Sequence, residues 1–108
     1  MRTLRFIVHN NTIVEDPSCD FTGLFPTPNQ EIQAEFIFSN EWTDRVKVAA
    51  FYSVLGTEYP PQIIDENRCM IPPEALISPV FRIQILGNRY GLTTSTNTLT
   101  IYQRGGNV

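Results

Sequence analysis

The stretch Glu31–Phe38, EIQAEFIF, gives the clearest structural signal in the chain. Apolar and polar residues alternate along it, with Ile32, Ala34, Phe36 and Phe38 on one side and Glu31, Gln33 and Glu35 on the other. Because successive side chains of a β-strand point to opposite faces of the sheet, this period of two predicts a strand with one buried face. We therefore expect a strand here, half buried against a core.

Working outward, the same alternation returns in Val46–Val54 (VKVAAFYSV), Val80–Leu86 (VFRIQIL) and Thr96–Gln103 (TNTLTIYQ). In the first of these segments we expect a buried face formed by Val46, Val48, Ala50, Tyr52 and Val54, and an outer face that Phe51 makes partly apolar. Weaker strand signals occur at Leu4–Val8, Gln62–Asp65 and Arg68–Ile71. Together these segments predict about seven strands.

Turn-forming residues separate the predicted strands, because eight prolines and six glycines fall mainly between them. Only Pro72–Ile77 (PPEALI) allows a helical turn, since proline fits the first turn of a helix. Short strands with frequent turns and almost no helix predict one all-β domain over residues 1–108. The expected fold is an antiparallel immunoglobulin-like β-sandwich of about seven to eight strands, with a small barrel as the alternative.

Charge and hydrophobicity limit the classes of partner. The chain carries 8 Lys and Arg against 11 Asp and Glu, a formal charge of −3, and its basic residues are scattered. Nucleic-acid binding requires a basic patch, so no nucleic-acid partner is expected. No segment approaches the roughly 18 apolar residues of a membrane span, and the first apolar run is too short for a signal peptide. These features predict no membrane association and synthesis in the cytoplasm.

The residues that usually carry catalysis or bind metals are few. The single histidine, His9, has no nucleophile motif beside it, although a hydrolytic site needs a nucleophile held by a base. Cys69 has the apolar neighbours of a buried, inert thiol, and Cys19 has acidic neighbours, which do not favour a thiolate. The acidic runs Glu15–Asp20 and Asp65–Asn67 lack calcium-loop spacing. We expect no catalytic site, cofactor or metal, and two unpaired thiols in a reducing compartment.

The aromatic residues Trp42, Tyr59, Tyr90 and Tyr102 could form a platform for a sugar or a protein, because amphipathic rings favour such contacts. Trp42 lies in a polar connection between two strong strands. It is either a lid over one end of the sandwich or an exposed contact residue. The size of its side chain favours the lid.

A series of motifs in the second half of the chain resembles a known family. An aromatic residue in a strand (Phe51) precedes a turn of the form C-x-I-P-x-E-x-L (Cys69–Leu76), a strand ending at Gly87 and a final strand that starts with threonine (Thr96–Gln103). This order, over roughly Val46–Gly106, resembles small immunoglobulin-like domains in virion proteins of bacteriophages of Gram-positive bacteria, such as baseplate and tail-fibre proteins. The motifs are structural, and in physical terms they describe a proline-fixed corner between two sheets.

The resemblance implies a non-enzymatic structural protein of the virion, in the tail or baseplate or on the head, that docks to copies of itself or to another virion protein. A closed homo-oligomer is then expected. Since interface cores favour aromatic residues and arginine, the candidate interface residues are Phe25, Trp42, Tyr59, Arg89 and Arg104. Two rival hypotheses stay open: a carbohydrate- or cell-surface-binding module, and a small phage inhibitor of a host protein.

Overall fold

The structure, a computed structural model, describes residues 1–103 and places them in two facing β-sheets. The strands are β1 (Arg2–His9), β2 (Thr12–Glu15), β3 (Ile32–Phe38), β4 (Val46–Tyr52), β5 (Gln62–Ile63), β6 (Arg68–Met70), β7 (Val80–Arg89), β8 (Leu92–Ser95) and β9 (Leu99–Tyr102). A 3-10 turn spans Asn40–Trp42 and a single helical turn, α1, spans Pro73–Leu76. The prediction of an all-β chain with one helical turn is confirmed.

The first sheet has the strand order β2-β1-β3-β6, and the second has the order β5-β4-β7-β8, with β9 also paired to β7. In the first sheet β1 and β3 run parallel, with Phe6 opposite Phe36. The expectation of a purely antiparallel fold is therefore wrong for this sheet, which is mixed. A parallel pair needs a long connection, and residues 16–31 supply it.

Two strands, β2 and β8, were missed in the sequence, and each is the second strand of a tight hairpin. The β7–β8 turn consists of Tyr90 and Gly91, which both have positive φ (53° and 78°), as a type I′ turn requires. Strand β7 therefore continues beyond Gly87 to Arg89, and the expectation that it ends at Gly87 is wrong. Gly87 lies inside the strand because the ring of Trp42 occupies the space where a side chain would be.

The core fills the space between the sheets with side chains from both. Phe6 and Phe36 come from the first sheet, and Phe51, Ile83 and Ile85 from the second, and all belong to one buried cluster. As Glu31–Phe38 predicts, the alternate residues Ile32, Ala34 and Phe36 are buried.

The predicted faces of β4 are reversed in the structure. Phe51 and Ala49 point into the core, while Val46 is 65% exposed and Val48 is half buried on the opposite side. The cause is the register with β7, in which Phe51 lies opposite Ile83 and Ala49 opposite Ile85. Residues directly opposite in an antiparallel pair share a face, so the buried isoleucines of β7 select the Phe51 side of β4.

Hydrogen bonds close both sides of the sandwich. On one side the Asn97 side chain accepts a bond from the Ile13 backbone N–H at 2.8 Å, and Asn11 Nδ2 donates to the Ser95 carbonyl at 2.9 Å. On the other side a turn at Glu66 and Asn67 joins β5 to β6, and Phe36 N–H donates to the Asn67 carbonyl. We call the first of these the asparagine seam, formed by Asn11 and Asn97.

The corner predicted around the double proline is present. Ile71 and Leu76, on either side of Pro72 and Pro73, are both buried in the core. Gln103, which is 1% exposed, donates from Nε2 to the carbonyls of Leu76 and Ser78 at 3.0 and 2.8 Å. These bonds satisfy carbonyls that the end of a short helix leaves without partners.

Candidate functional site

Of the five residues predicted as an interface, the four that the structure describes do not form one surface. Phe25 is 55% exposed and lines a cavity of about 450 Å³ that also includes Met1 and Arg2. Tyr59 is half buried, and Arg89 is exposed at the end of β7. Arg104 lies outside the described residues. Of the predicted residues, Phe25 and Arg89 are therefore exposed, at separate positions on the surface.

Of the two alternatives for Trp42, a lid over the end of the core or an exposed contact residue, the structure shows the lid. It is 1% exposed, its indole N–H donates to the Asn10 carbonyl at 2.8 Å, and its ring packs on Phe38 with 5.7 Å between centroids. The residue covers the end of the core where the β1–β2 turn meets Gly87. Trp42 therefore offers no exposed ring to a partner.

The aromatic platform suggested by the sequence is absent from residues 1–103. Tyr90 lies in the turn after β7, whereas Tyr102 lies opposite Val80 at the start of that strand. Strand β7 has 10 residues, so at about 3.3 Å per residue the two tyrosines are roughly 30 Å apart. Tyr59 is half buried, with its hydroxyl 3.1 Å from Ser78 Oγ. The four rings are not neighbours.

The residues considered for chemistry lie apart from one another. His9 is exposed at the end of β1, and Cys69 is buried opposite Ala34, where desolvation raises the pKa of its thiol to about 12. Cys19 Sγ accepts a bond from the Arg5 backbone N–H at 3.3 Å on the other side of β1. Within residues 1–103, no three His, Cys, Asp or Glu side chains are grouped to hold a metal ion. No helix among these residues could cross a membrane.

The surface with the most unusual composition is the outward side of the second sheet. We call it the β4 face, and its members are Val46, Val48, Ala50, Tyr52, Glu58, Ile63, Arg82, Gln84, Leu86 and Asn88. The pairing of β4 with its neighbours arranges them in rows. One row is Ile63–Val48–Leu86, and a second is Glu58–Tyr52–Arg82.

The β4 face has apolar side chains that solvent reaches, although Val48 and Leu86 of its first row are half buried. Ile63 is 74% exposed and Val46, at the end of β4, is 65% exposed. A shallow cavity of about 230 Å³ extends across the first row and has Val48, Ala50 and Leu86 among its lining residues. Scattered exposed apolar residues are common on proteins, but a contiguous apolar group in the middle of a sheet indicates a contact surface.

The second row carries two opposite charges that do not meet. Glu58 and Arg82 flank Tyr52 on neighbouring strands, so two strand spacings, about 10 Å, separate them. Within residues 1–103 neither side chain forms an ion pair. Arg82 Nε is buried and has no hydrogen-bond acceptor among these residues. A buried donor without an acceptor is costly, which singles out Arg82 Nε as a donor without a partner among residues 1–103.

The outward side of the first sheet also carries a charged row, but this row is complete. Glu35 Oε1 and Oε2 accept bonds from Arg5 and Arg68, both at 3.0 Å, and Arg5 also lies 3.7 Å from Asp16. Hydrogen bonds from Arg5 and then Arg68 hold the pKa of Glu35 below its usual value. These charges are neutralised within the chain, in contrast to those of Glu58 and Arg82.

The β4 face was not singled out from the sequence, although a signal for it exists. The segment Val46–Val54 has apolar residues on both alternating faces, although one face also contains Lys47 and Ser53, whereas Glu31–Phe38 has a largely polar face. A strand that is apolar on both faces needs a second apolar environment besides the core. That signal points to β4. It does not identify Glu58 or Arg82, which become neighbours of β4 only when the strands pair.

Comparison with protein-family models and with curated proteins finds no match to this chain.

Proposed function

We propose that this chain is a non-enzymatic structural protein of a bacteriophage virion, which docks through the β4 face to another copy of itself or to another virion protein. An immunoglobulin-like type of sandwich is part of the same proposal. Two facing sheets joined by tight turns support it, and the parallel pairing of β1 with β3 is a departure that a member of that class would have to accommodate.

The observation that carries the docking role is the composition of the β4 face. It combines accessible aliphatic side chains, a tyrosine and an arginine whose buried Nε lacks an acceptor within residues 1–103. Tyrosine and arginine are enriched in the energetically important centres of protein interfaces, where charged partners are buried in pairs. The place of the protein in a virion rests on the resemblance of Val46–Gly106 to phage domains.

The proposal is tested by following the chain into particles. Mass spectrometry of purified virions should detect the polypeptide. A Val48→Asp chain supplied during assembly should be depleted from particles at least about tenfold, because burying an unpaired carboxylate in an interface is strongly unfavourable. Ile37→Asp is the matched control, since Ile37 is 51% exposed on the outward side of the first sheet. Absence of the polypeptide from virions would contradict the virion assignment.

The rival functions give different results in the same system. A carbohydrate-binding module would bind glycans in isolation and lose that binding when Tyr52 is replaced by alanine. An inhibitor of a host protein would be found with that protein in infected cells and would be missing from particles. Equal incorporation of Val48→Asp and the control would contradict docking through the β4 face.

A further inference from the structure

We propose that the partner of the β4 face is a second copy of this chain, packed face to face about a twofold axis that runs along β4. The inference deepens the proposed function, on which it rests, by choosing between the two kinds of partner. It follows from the order of residues across the rows of the β4 face.

In each row the β4 residue lies between one residue that precedes or belongs to β5 and one residue of β7, and the row continues beyond β7 to Ser95 or Thr100. In the apolar row, Val48 lies between Ile63 on β5 and Leu86 on β7. In the charged row, Tyr52 lies between Glu58 and Arg82, and Glu58 is on the same side of β4 as Ile63. The two side positions of each row are therefore chemically complementary: aliphatic with aliphatic, and acid with base.

A twofold rotation about a line parallel to β4 exchanges the two sides of every row and keeps its height along the strand. Ile63 of one copy then faces Leu86 of the other, and Glu58 of one copy faces Arg82 of the other. Val48 and Tyr52, at the centre, face their own counterparts. Such an interface is isologous, so each contact occurs twice. Two sheets packed in this way have strands aligned within about 30° and lie about 10 Å apart.

The rotation also supplies what each of the two charges lacks. The exposed carboxylate of Glu58 from the second copy would meet the accessible part of the half-buried Arg82 side chain, whereas Arg82 Nε is covered by its own chain. Guanidinium and carboxylate groups form strong, often bidentate hydrogen bonds. Within residues 1–103 the two groups do not pair, and the half-buried Tyr52 lies between them.

Charge balance favours a second copy as well. The chain has a formal charge of −3, so two copies repel each other over most of their surfaces. The β4 face carries one acid, Glu58, and one base, Arg82, so two such faces attract where they meet. The face can therefore bring two like-charged chains together.

The test is an exchange of charges, with the mass in solution measured by light scattering and sedimentation equilibrium. The wild-type chain should have twice the 12.3 kDa of one chain. Arg82→Glu and Glu58→Arg should each raise the dissociation constant at least about tenfold, since each places like charges opposite one another twice. A 1:1 mixture of the two variants should recover the dimer, because every facing pair then joins unlike charges.

Arg89→Glu is the control, because Arg89 is exposed on the same strand but outside the β4 face. Arg82→Gln removes the charge without adding repulsion, and circular dichroism shows whether each variant is folded. A monomeric wild-type chain, or a mixture that stays monomeric, would overturn the inference. If the chain is monomeric but Val48→Asp is still depleted from particles, the β4 face docks to another virion protein and only the dimer is excluded. If the chain is a dimer but is absent from virions, only the proposed virion function is contradicted.

Discussion

Gly87 and Trp42 are in direct contact, and the missing side chain at Gly87 leaves the space that the large Trp42 ring occupies. A Cβ atom at Gly87 would lie 2.7 Å from Cζ3 of Trp42 and 3.1 Å from Cδ of Arg45. The indole cannot move aside, because it is 1% exposed and its N–H is bonded to the Asn10 carbonyl. The pair therefore closes one end of the core by direct contact between a ring and a backbone.

We expect Gly87→Ala to lower the free energy of unfolding by about 1–3 kcal/mol, since overpacking a rigid site forces its neighbours to shift. Urea denaturation measures the change. In a Trp42→Leu background, which leaves space beside residue 87, the added cost of Gly87→Ala should be smaller, and a double-mutant cycle gives the difference. Equal stability of Gly87→Ala and the wild type would contradict the close contact.

Glu35 carries a prediction about pH. Its folded pKa is lowered by hydrogen bonds from Arg5 and Arg68, so its contribution to stability is present above the unfolded pKa of about 4.3 and is lost as the pH falls through the folded value. Glu35→Gln should be less stable than the wild type at pH 7, and the difference should shrink in acid. Thermal unfolding at pH 7, 4 and 2.5 measures it, and a difference independent of pH would exclude this role.

At the scale of elements, the asparagine seam protects a strand that would otherwise be an open edge. Strand β2 has only 4 residues and pairs with β1 on one side. On its other side the Ile13 N–H donates to Asn97 Oδ1, and Asn97 Nδ2 lies 3.4 Å from the Ile13 carbonyl. A side-chain amide thus takes the place of a neighbouring strand, which reduces the tendency of an edge to pair with other molecules.

Asn97→Ala should lower the free energy of unfolding by about 1–2 kcal/mol, because it leaves the Ile13 N–H without an acceptor. Asn97→Asp keeps the accepting oxygen and should lose less. Asn88→Ala is the control, since Asn88 is exposed and its side chain bonds only Thr93 at 3.2 Å among the described residues. Denaturation curves rank the three variants, and a cost for Asn97→Ala no larger than that for Asn88→Ala would contradict the seam.

Much of this element level can be predicted from the sequence, for physical reasons. Alternation identifies β3 and β7, and the double proline identifies the corner at α1. Strands β2 and β8 have burial patterns with few buried positions, so alternation is weak there and hairpin pairing determines them. The buried face of β4 could not be predicted, because Val46–Val54 has large apolar residues on both sides and the register with β7 determines which side is buried.

At the scale of the whole molecule, the two thiols are separated by the first sheet. Cys69 lies on β6, and Cys19 lies beyond β1, so β1 and β3 stand between them. Three strand spacings amount to about 14 Å, far beyond the Cα separation of a disulfide. The candidate site could not be predicted from the sequence, because Glu58 and Arg82 are 24 positions apart and come onto the same face only when the strands pair.

The native chain should react with a thiol reagent at Cys19 and resist it at Cys69, whose pKa is raised to about 12 by burial. The unfolded chain should react at both. Mass spectrometry after timed labelling counts the modified residues, with Cys19→Ser as the control that should remain unlabelled while folded. Equal rates at the two cysteines of the native chain would contradict the arrangement.

The asparagine seam also orders events during synthesis. Its partners are 83 and 84 positions apart, so a ribosome must release almost the entire described chain before β2 can be covered. Even after β3 has paired with the other edge of β1, β2 would keep one unprotected edge until then. Nascent chains paused before residue 97 would therefore be the ones most prone to aggregate, and they would be natural clients for a chaperone.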